Sequence, residues 1–189
     1  MSRIIAGACG GLRLANVPGD NTRPTTDRVK EALFSRLETY GMFDSTRVLD
    51  LFGGSGALGC ESLSRGALHA DFTDTYPKAI ATIEKNVAAL LKALPAASAQ
   101  THKMSARSFL SAYRGSSWDL VFIDPPYALE NSELEDLLAL LTPHLAEGAV
   151  VVVERSSRTP EPVWPTGIEL FAQKKYGETT LYYAEPAEP

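Results

Sequence analysis

The sequence predicts an α/β fold, in which a parallel sheet is covered by helices on both faces and ends in an antiparallel hairpin. Short apolar segments alternate with helical segments from residue 46 onward, as expected when helices connect parallel strands. A glycine-rich turn follows the first of these strands. The last two apolar segments, 168–175 and 179–183, are separated only by Tyr176-Gly177-Glu178, which favours a hairpin.

The hydrophobic pattern predicts each element in turn. Residues 3–14 are expected to form two short strands around a glycine turn. Buried strands are expected at 46–51, 69–74, 118–123 and 149–153, with a weaker strand at 100–104. Helices are expected after an N-cap at Thr25 or Thr26, from the glycine turn to Ser64, and at 77–94, 106–113 and 134–145. Residues 184–189 are expected to be a frayed tail.

Composition is consistent with one globular domain, since 44% of the 189 residues are hydrophobic and the net charge is −5. Within it, residues 1–22 would form an N-terminal arm, 23–40 a helix beside the site, and 46–184 the catalytic core. The acidic balance means that any site for a polyanion must be local. Monomer is the default expectation.

A cytoplasmic location is expected, because no apolar run is long enough to cross a membrane and the N-terminus is too polar for a signal peptide. The two cysteines, Cys9 and Cys60, form no disulfide framework. The three histidines lack the spacing of metal ligands, so no metal site is expected.

Gly54, Gly56 and Gly59 match the dinucleotide-binding fingerprint, which suits many nucleotide-type cofactors. Asp74, at the end of the next strand, could bind ribose hydroxyls, or it could be an ordinary strand-end acid. Asp50 precedes the loop, where a carboxylate suits the cationic amino group of S-adenosylmethionine (SAM) better than the pyrophosphate of NAD. The alternatives are that Asp50 caps the turn and that the protein is an NAD-linked oxidoreductase.

Asp124-Pro125-Pro126-Tyr127 directly follows a buried strand. The prolines stiffen the chain and leave the carbonyls of Asp124 and Pro125 free to accept hydrogen bonds. These acceptors suit the amino group of a planar base, and Tyr127 could stack on its ring. A simple Pro-Pro turn is the alternative. The motif therefore predicts methylation of an exocyclic amine.

Basic residues gather in the N-terminal part of the chain, where they could bind phosphate groups or form an ordinary solvated helix face. The candidate RNA-binding residues are Arg3, Arg13, Arg23, Thr25 and Arg28. Lys30 and Arg36 lie in the same region.

Together these motifs resemble those of the ribosomal small subunit methyltransferase D (RsmD) family, and the resemblance covers nearly the whole chain. It is carried by Arg3-Ile4-Ile5-Ala6-Gly7 with Gly11 and Arg13, by residues 23–34 (RPTTDRVKEALF), by the glycine loop with Asp50, by Asp124-Pro125-Pro126-Tyr127, and by the Tyr176-Gly177 hairpin. Residues 23–34 are the most diagnostic, because the other motifs occur in many amino-methyltransferases.

The resemblance implies a class I methyltransferase fold with a seven-stranded sheet, SAM as cofactor, and methylation of N2 of a guanine in 16S ribosomal RNA. An assembled or assembling small subunit would be the partner. The N-terminal arm and residues 23–31 would lie near the RNA. The expected catalytic residues are Asp124, Pro125, Pro126 and Tyr127. The expected cofactor residues are Asp50, Phe52, Gly53, Gly54, Ser55, Gly56, Asp74, Thr75, Ser105, Ala106 and Asp124.

Two positions depart from the family pattern. The ribose acid is commonly Glu, and here it is the shorter Asp74. The adenine contact is often Asp or Asn, and here it is Ser105, whose hydroxyl carries no charge. Two further alternatives remain open: an adenine-N6 methyltransferase acting on DNA, and a non-catalytic assembly factor that binds RNA.

Overall fold

The fold is taken from a computed structural model that describes residues 2–19 and 26–189. The strands of this described part are β1 (Ser2–Arg3), β2 (Arg13–Leu14), β3 (Arg47–Asp50), β4 (His69–Asp74), β5 (Ser98–Lys103), β6 (Trp118–Ile123), β7 (Leu145–Ser156), β8 (Ile168–Tyr176) and β9 (Thr179–Pro186). Its α-helices are α1 (Asp27–Thr39), α2 (Ala57–Ser64), α3 (Pro77–Leu91), α4 (Ala106–Ala112) and α5 (Asn131–Leu141). None of these helices has the length and hydrophobicity needed to cross a bilayer.

Seven strands form one sheet in the order β5-β4-β3-β6-β7-β9-β8. The pairs from β5 to β7 are parallel, whereas β9 runs antiparallel to both β7 and β8. This confirms the predicted parallel sheet with its antiparallel hairpin. The predicted N-terminal hairpin is also confirmed, because β1 and β2 pair antiparallel with Arg3 opposite Arg13.

Alternate side chains of the sheet enter two separate apolar cores, as the pleat of a strand requires. On β6, Leu120 and Phe122 pack into the core that receives the apolar faces of α1, α2 and α3. Val121 and Ile123 pack into the other core, together with α4 and α5. Both faces of the sheet are therefore covered, as the sequence predicts.

Several element boundaries differ from the sequence predictions. β7 spans 145–156 rather than 149–153, and α5 spans 131–141 rather than 134–145. Residues 184–186 are not frayed, since Ala184 and Pro186 pair with β8. The limits of β7 and β9 are set by hydrogen bonds to neighbouring strands, which the apolar pattern of one segment does not reveal.

Helix α1 begins where the sequence places it. The hydroxyl of Thr26 accepts a hydrogen bond from the Val29 N–H (3.3 Å), so Thr26 is the N-cap. Val29, Leu33 and Leu37 are buried on one face of the helix. Thr25, the other predicted cap, lies outside the described residues.

Glu61 on α2 joins three parts of the chain. Its carboxylate accepts hydrogen bonds from the Ile5 N–H (2.8 Å), the Ala6 N–H (3.1 Å) and Arg65 Nε (2.9 Å). It also pairs with Lys30 Nζ of α1 at 3.4 Å, and both side chains are almost fully buried. Glu61 therefore holds the N-terminal hairpin and α1 against α2. The charge of Lys30, which the sequence groups with the basic residues, is therefore paired with Glu61 inside the fold.

We expect Glu61→Ala to lower the free energy of unfolding by about 3–5 kcal/mol, because it leaves the buried Lys30 charge without its partner. Urea unfolding followed by circular dichroism measures this change. Glu84→Ala, on the exposed face of α3, is the control and should change stability by less than about 0.5 kcal/mol. Equal unfolding midpoints for the two variants would contradict a stabilising role for Glu61.

Candidate active site

The carboxyl ends of β3 and β6 lie side by side, because the two strands run parallel with Asp50 opposite Phe122. The chain continues from β3 to β4 and β5 on one side, and places β6 and β7 on the other. Ligands of open α/β sheets bind at such a reversal of strand order. The topology thus brings together the glycine loop after β3 and the Asp124–Tyr127 motif after β6, as the sequence predicts.

The glycine loop has the backbone that its sequence requires. Gly54 and Gly56 have φ angles of +58° and +82°, in the region that favours glycine. A Cβ atom on Gly54 would meet no atom within 4 Å, so this part of the loop borders open space. A Cβ on Gly59 would lie 2.3 Å from Cε1 of Phe72, so only glycine lets α2 pack this closely on β4.

Asp50 is almost fully buried, with 1% of its surface exposed. Its Oδ2 accepts a hydrogen bond from the Gly59 N–H at 3.1 Å, so it caps the first turn of α2. Burial raises the pKa of Asp50 to about 7; the Gly59 hydrogen bond opposes this rise, and the nearby charge of Asp74 adds to it. The cap that the sequence offered as an alternative role for Asp50 is therefore present. The same residue is also a titratable acid beside the glycine loop.

Asp74 supports the same loop from the end of β4. Its Oδ2 accepts from the Gly54 N–H (3.0 Å) and its Oδ1 from the Tyr76 N–H (2.9 Å). The residue remains partly exposed. Asp74 thus fixes the position of Gly54 while its carboxylate still borders solvent.

The Asp124–Tyr127 motif lines a small pocket. Pro125 is buried, Asp124 is partly exposed, and Tyr127 is 71% exposed. The full lining of the pocket is Asp124, Pro125, Tyr127, Glu154, Arg155, Ser156 and Thr179. An aromatic ring as exposed as that of Tyr127 is available to stack on a planar ligand.

Asp124 shares this pocket with a second acid. Burial raises the pKa of Asp124 well above its usual value, and the charge of Glu154, a hydrogen bond with Glu154 and the charge of Asp50 raise it further. Glu154 was not predicted as a site residue. Its sequence signal was present but weak: it is the first charged residue after the apolar run 149–153.

The other predicted cofactor residues lie along the same edge. Ser105 follows β5, and its hydroxyl accepts from the Ser108 N–H (3.1 Å) as the N-cap of α4. Ala106 is buried, and Thr75 is exposed after β4. Phe52, Gly53 and Ser55 belong to the glycine loop between β3 and α2.

Of the predicted RNA-binding residues, Arg3 and Arg13 are exposed on facing strands of the N-terminal hairpin. Arg28 is exposed in the first turn of α1. Arg23 and Thr25 lie outside the described residues. Arg36 makes a cation–π contact within the fold, since its guanidinium lies 4.7 Å from the centre of the Tyr183 ring.

Asn86 on α3 connects the N-terminal arm with the glycine loop, and sequence reasoning missed it. Its Nδ2 donates to the Ala15 carbonyl (3.1 Å) and to the Ser55 carbonyl (2.8 Å), and its Oδ1 accepts from the Ala15 N–H (2.8 Å). The side chain is almost fully buried. The available signal was one amide among the apolar residues on the buried face of α3.

A second polar cluster, away from this edge, surrounds Asp71 in the middle of β4. His69 Nε2, His102 Nε2 and Trp118 Nε1 lie 3.2 Å, 3.0 Å and 3.1 Å from its oxygens. Although burial acts in the opposite direction, these hydrogen bonds lower the pKa of Asp71 overall. Across residues 2–19 and 26–189, no group of three or more His, Cys, Asp or Glu side chains could hold a metal ion.

Comparison with known proteins supports the methyltransferase interpretation. The family model described as "Conserved hypothetical protein 95" matches residues 2–185. The Bacillus subtilis protein YlbH is 38% identical over 182 residues, which cover 94% of this chain and 95% of that protein. Ribosomal RNA small subunit methyltransferase D of Escherichia coli K12 is 35% identical over 187 residues, covering 97% of this chain and 90% of that enzyme.

Solved structures agree with these matches. The Escherichia coli protein yhhF superimposes with a TM-score of 0.81 and 34% identity, and the match covers 97% of both chains. At 19% identity, the rRNA methyltransferase aviRa of Streptomyces viridochromogenes shares the fold, with a TM-score of 0.68. The predicted class I methyltransferase fold is therefore confirmed, and the chain belongs to the family of ribosomal RNA small subunit methyltransferase D.

Proposed function

We propose that the protein transfers a methyl group from SAM to the exocyclic N2 amine of a guanine in small-subunit ribosomal RNA. The observation that carries this proposal is the position of Asp124-Pro125-Pro126-Tyr127, directly beside the glycine loop at the reversal of strand order. An assembled or assembling small subunit would be the substrate. The particle would then provide part of the recognition of the target guanine for a chain of 189 residues.

The residues around the glycine loop suit a cationic nucleoside cofactor. When bound, SAM supplies a methyl group on a sulfonium centre, which is a good leaving group. Asp50 would hold the cationic amino group, because a buried acid gains most from a positive partner. Asp74 would accept hydrogen bonds from the ribose hydroxyls. Ser105 would face the adenine, with Ala106 and Thr75 beside it.

The pocket after β6 suits a planar base with an amino group. The target guanine would leave its stack and enter the pocket, as in other enzymes that modify bases. Tyr127 would stack on the ring, while the Asp124 carboxylate and the Pro125 carbonyl would accept the two hydrogens of the amine. This arrangement would aim the nitrogen at the methyl donor, and correct positioning of the two reactants alone accounts for large accelerations. Asp124 could then accept the proton that the methylated nitrogen loses.

The exposed arginines Arg3, Arg13 and Arg28 would contact RNA phosphates close to this pocket. Arg23 and Thr25 would extend the same surface. On a protein with a net charge of −5, such a local basic surface would position the RNA without attracting nucleic acid over the whole molecule.

The proposed function is tested by mass mapping of modified nucleosides in 16S RNA. Cells that lack the gene should lose one N2-methylguanosine, and the wild-type gene should restore it. Purified protein and labelled SAM should methylate small subunits from the deletion cells more efficiently than duplex DNA. Loss of N6-methyladenosine instead, or an unchanged modification pattern, would contradict the proposed function.

We expect Asp124→Ala to lower the rate of methyl transfer by about 100- to 1000-fold, because it removes an acceptor positioned at the reacting amine. SAM affinity, measured by calorimetry, should remain close to that of the wild type. Asp44→Ala is a matched control, since Asp44 is exposed and precedes β3 at the opposite edge of the sheet. Wild-type turnover in Asp124→Ala would remove Asp124 from the chemistry.

The affinity for SAM should depend on pH through Asp50. Its pKa in the free protein is about 7, and the proposed contact requires the ionised form. Affinity should therefore decrease as the pH falls through 7, towards tenfold per pH unit. Calorimetry between pH 5.5 and about 7.5, where the amino group of SAM stays cationic, measures this dependence. Asp50→Asn should bind SAM more weakly at about pH 7.5 and should show a flat profile; an identical slope in the variant would assign the titration to another group.

A further inference from the structure

Glu154 is placed to act on the same substrate as Asp124. Ile123 of β6 and Val153 of β7 are paired in parallel register. The next residues, Asp124 just after β6 and Glu154 within β7, therefore lie at the same level of the sheet. Their carboxyl groups are in hydrogen-bonding contact, and both side chains line the pocket with Pro125 and Tyr127.

Two carboxyl groups in contact repel each other when both are ionised, and this repulsion contributes to the raised pKa of Asp124. The pair offers the pocket a negative charge and several acceptor oxygens. Asp124 alone is sufficient to hold one hydrogen of an amine. A second acid at the same level supplies an additional acceptor beside the first.

Arg155 holds the part of β7 that carries Glu154 in place. The buried guanidinium donates from Nη2 to the Leu129 carbonyl and to Oδ1 of Asn131, both at 2.8 Å. These bonds tie β7 to the segment that follows Tyr127. Glu154 therefore has a stable position relative to the Asp124–Tyr127 motif, as selective hydrogen bonding requires.

Bases with an exocyclic amine differ in the ring atom next to that amine. In guanine, N1 beside the N2 amine carries a hydrogen and is a donor. In adenine, N1 beside the N6 amine is an unprotonated acceptor, and N3 of cytosine is likewise an acceptor. A carboxylate accepts hydrogen bonds and donates none. An acceptor next to the amine-binding position thus favours guanine and opposes adenine and cytosine.

We propose that Glu154 is the residue that selects guanine: its carboxylate accepts the N1–H while Asp124 and the Pro125 carbonyl hold the adjacent N2 amine. This inference rests on the proposed function and extends it, because the Asp-Pro-Pro-Tyr motif by itself does not distinguish one exocyclic amine from another. Glu154 would contact the base directly, rather than act only through Asp124.

The test uses two substrates, once the modified nucleotide has been mapped. The first is the small subunit isolated from cells that lack the gene. The second is the same subunit carrying adenine in place of the target guanine. Transfer of labelled methyl groups to both is measured for the wild type, Glu154→Gln, Glu154→Asp and Glu147→Gln. Glu147, exposed on the same strand, is the matched control.

We expect Glu154→Gln to lower kcat/KM for the guanine substrate by about 10- to 100-fold, the usual effect of losing a charged hydrogen-bond partner. Its amide N–H can donate to N1 of adenine, so the adenine-to-guanine ratio should increase by at least about tenfold. Glu154→Asp keeps an acceptor and should retain the preference for guanine at a reduced rate. Glu147→Gln should match the wild type, and all variants should keep wild-type melting temperatures and SAM affinity.

An unchanged adenine-to-guanine ratio in Glu154→Gln would overturn the assignment, whether or not the rate decreases, since a residue that only adjusts Asp124 would change rate without changing base preference. Loss of guanine preference in Glu154→Asp would overturn it as well. If the wild type transfers no methyl group to the guanine of the first substrate, the proposed function itself fails. The wild-type measurements thus test the proposed function, and the variants test the role of Glu154.

Discussion

The parallel register of β3, β6 and β7 brings three carboxyl groups to one edge of the sheet. Asp50, Asp124 and Glu154 each stand at the end of an apolar strand segment, and each lies close enough to affect the ionisation of another. Partly buried acids that repel one another are unfavourable for folding. A protein retains such a group where function needs it, so this edge is the most informative part of the structure.

The acids have different surroundings. Asp50 is buried beside the glycine loop, and its carboxylate accepts a hydrogen bond from the Gly59 N–H. Asp124 and Glu154 contact each other in a pocket that is open to the exposed ring of Tyr127. In the proposed reaction the first faces the positive charge of the cofactor, and the other two face the hydrogens of the base. In that proposal, the methyl donor and the base that receives the methyl group bind at the same edge of the sheet.

Much of the fold follows from the sequence, because it depends on local patterns. The apolar strands and the glycine loop appear directly in the sequence, and so does the acid that follows each strand. The residues that sequence reasoning missed all act over long separations. Glu61 binds the backbone at residues 5 and 6, Asn86 binds Ala15, and Glu154 contacts Asp124. No spacing or periodicity links such positions, since only the finished sheet and its register bring them together.

The attachment of the N-terminal arm has a consequence for folding on the ribosome. The backbone N–H groups of residues 5, 6, 8, 9 and 15 donate to Glu61, Ser64 and Asn86. During synthesis this arm emerges before α2 and α3, so these hydrogen bonds can form only after both helices are present. Contacts between residues so far apart in sequence form slowly. Docking of the arm is therefore expected only after α2 and α3 have assembled.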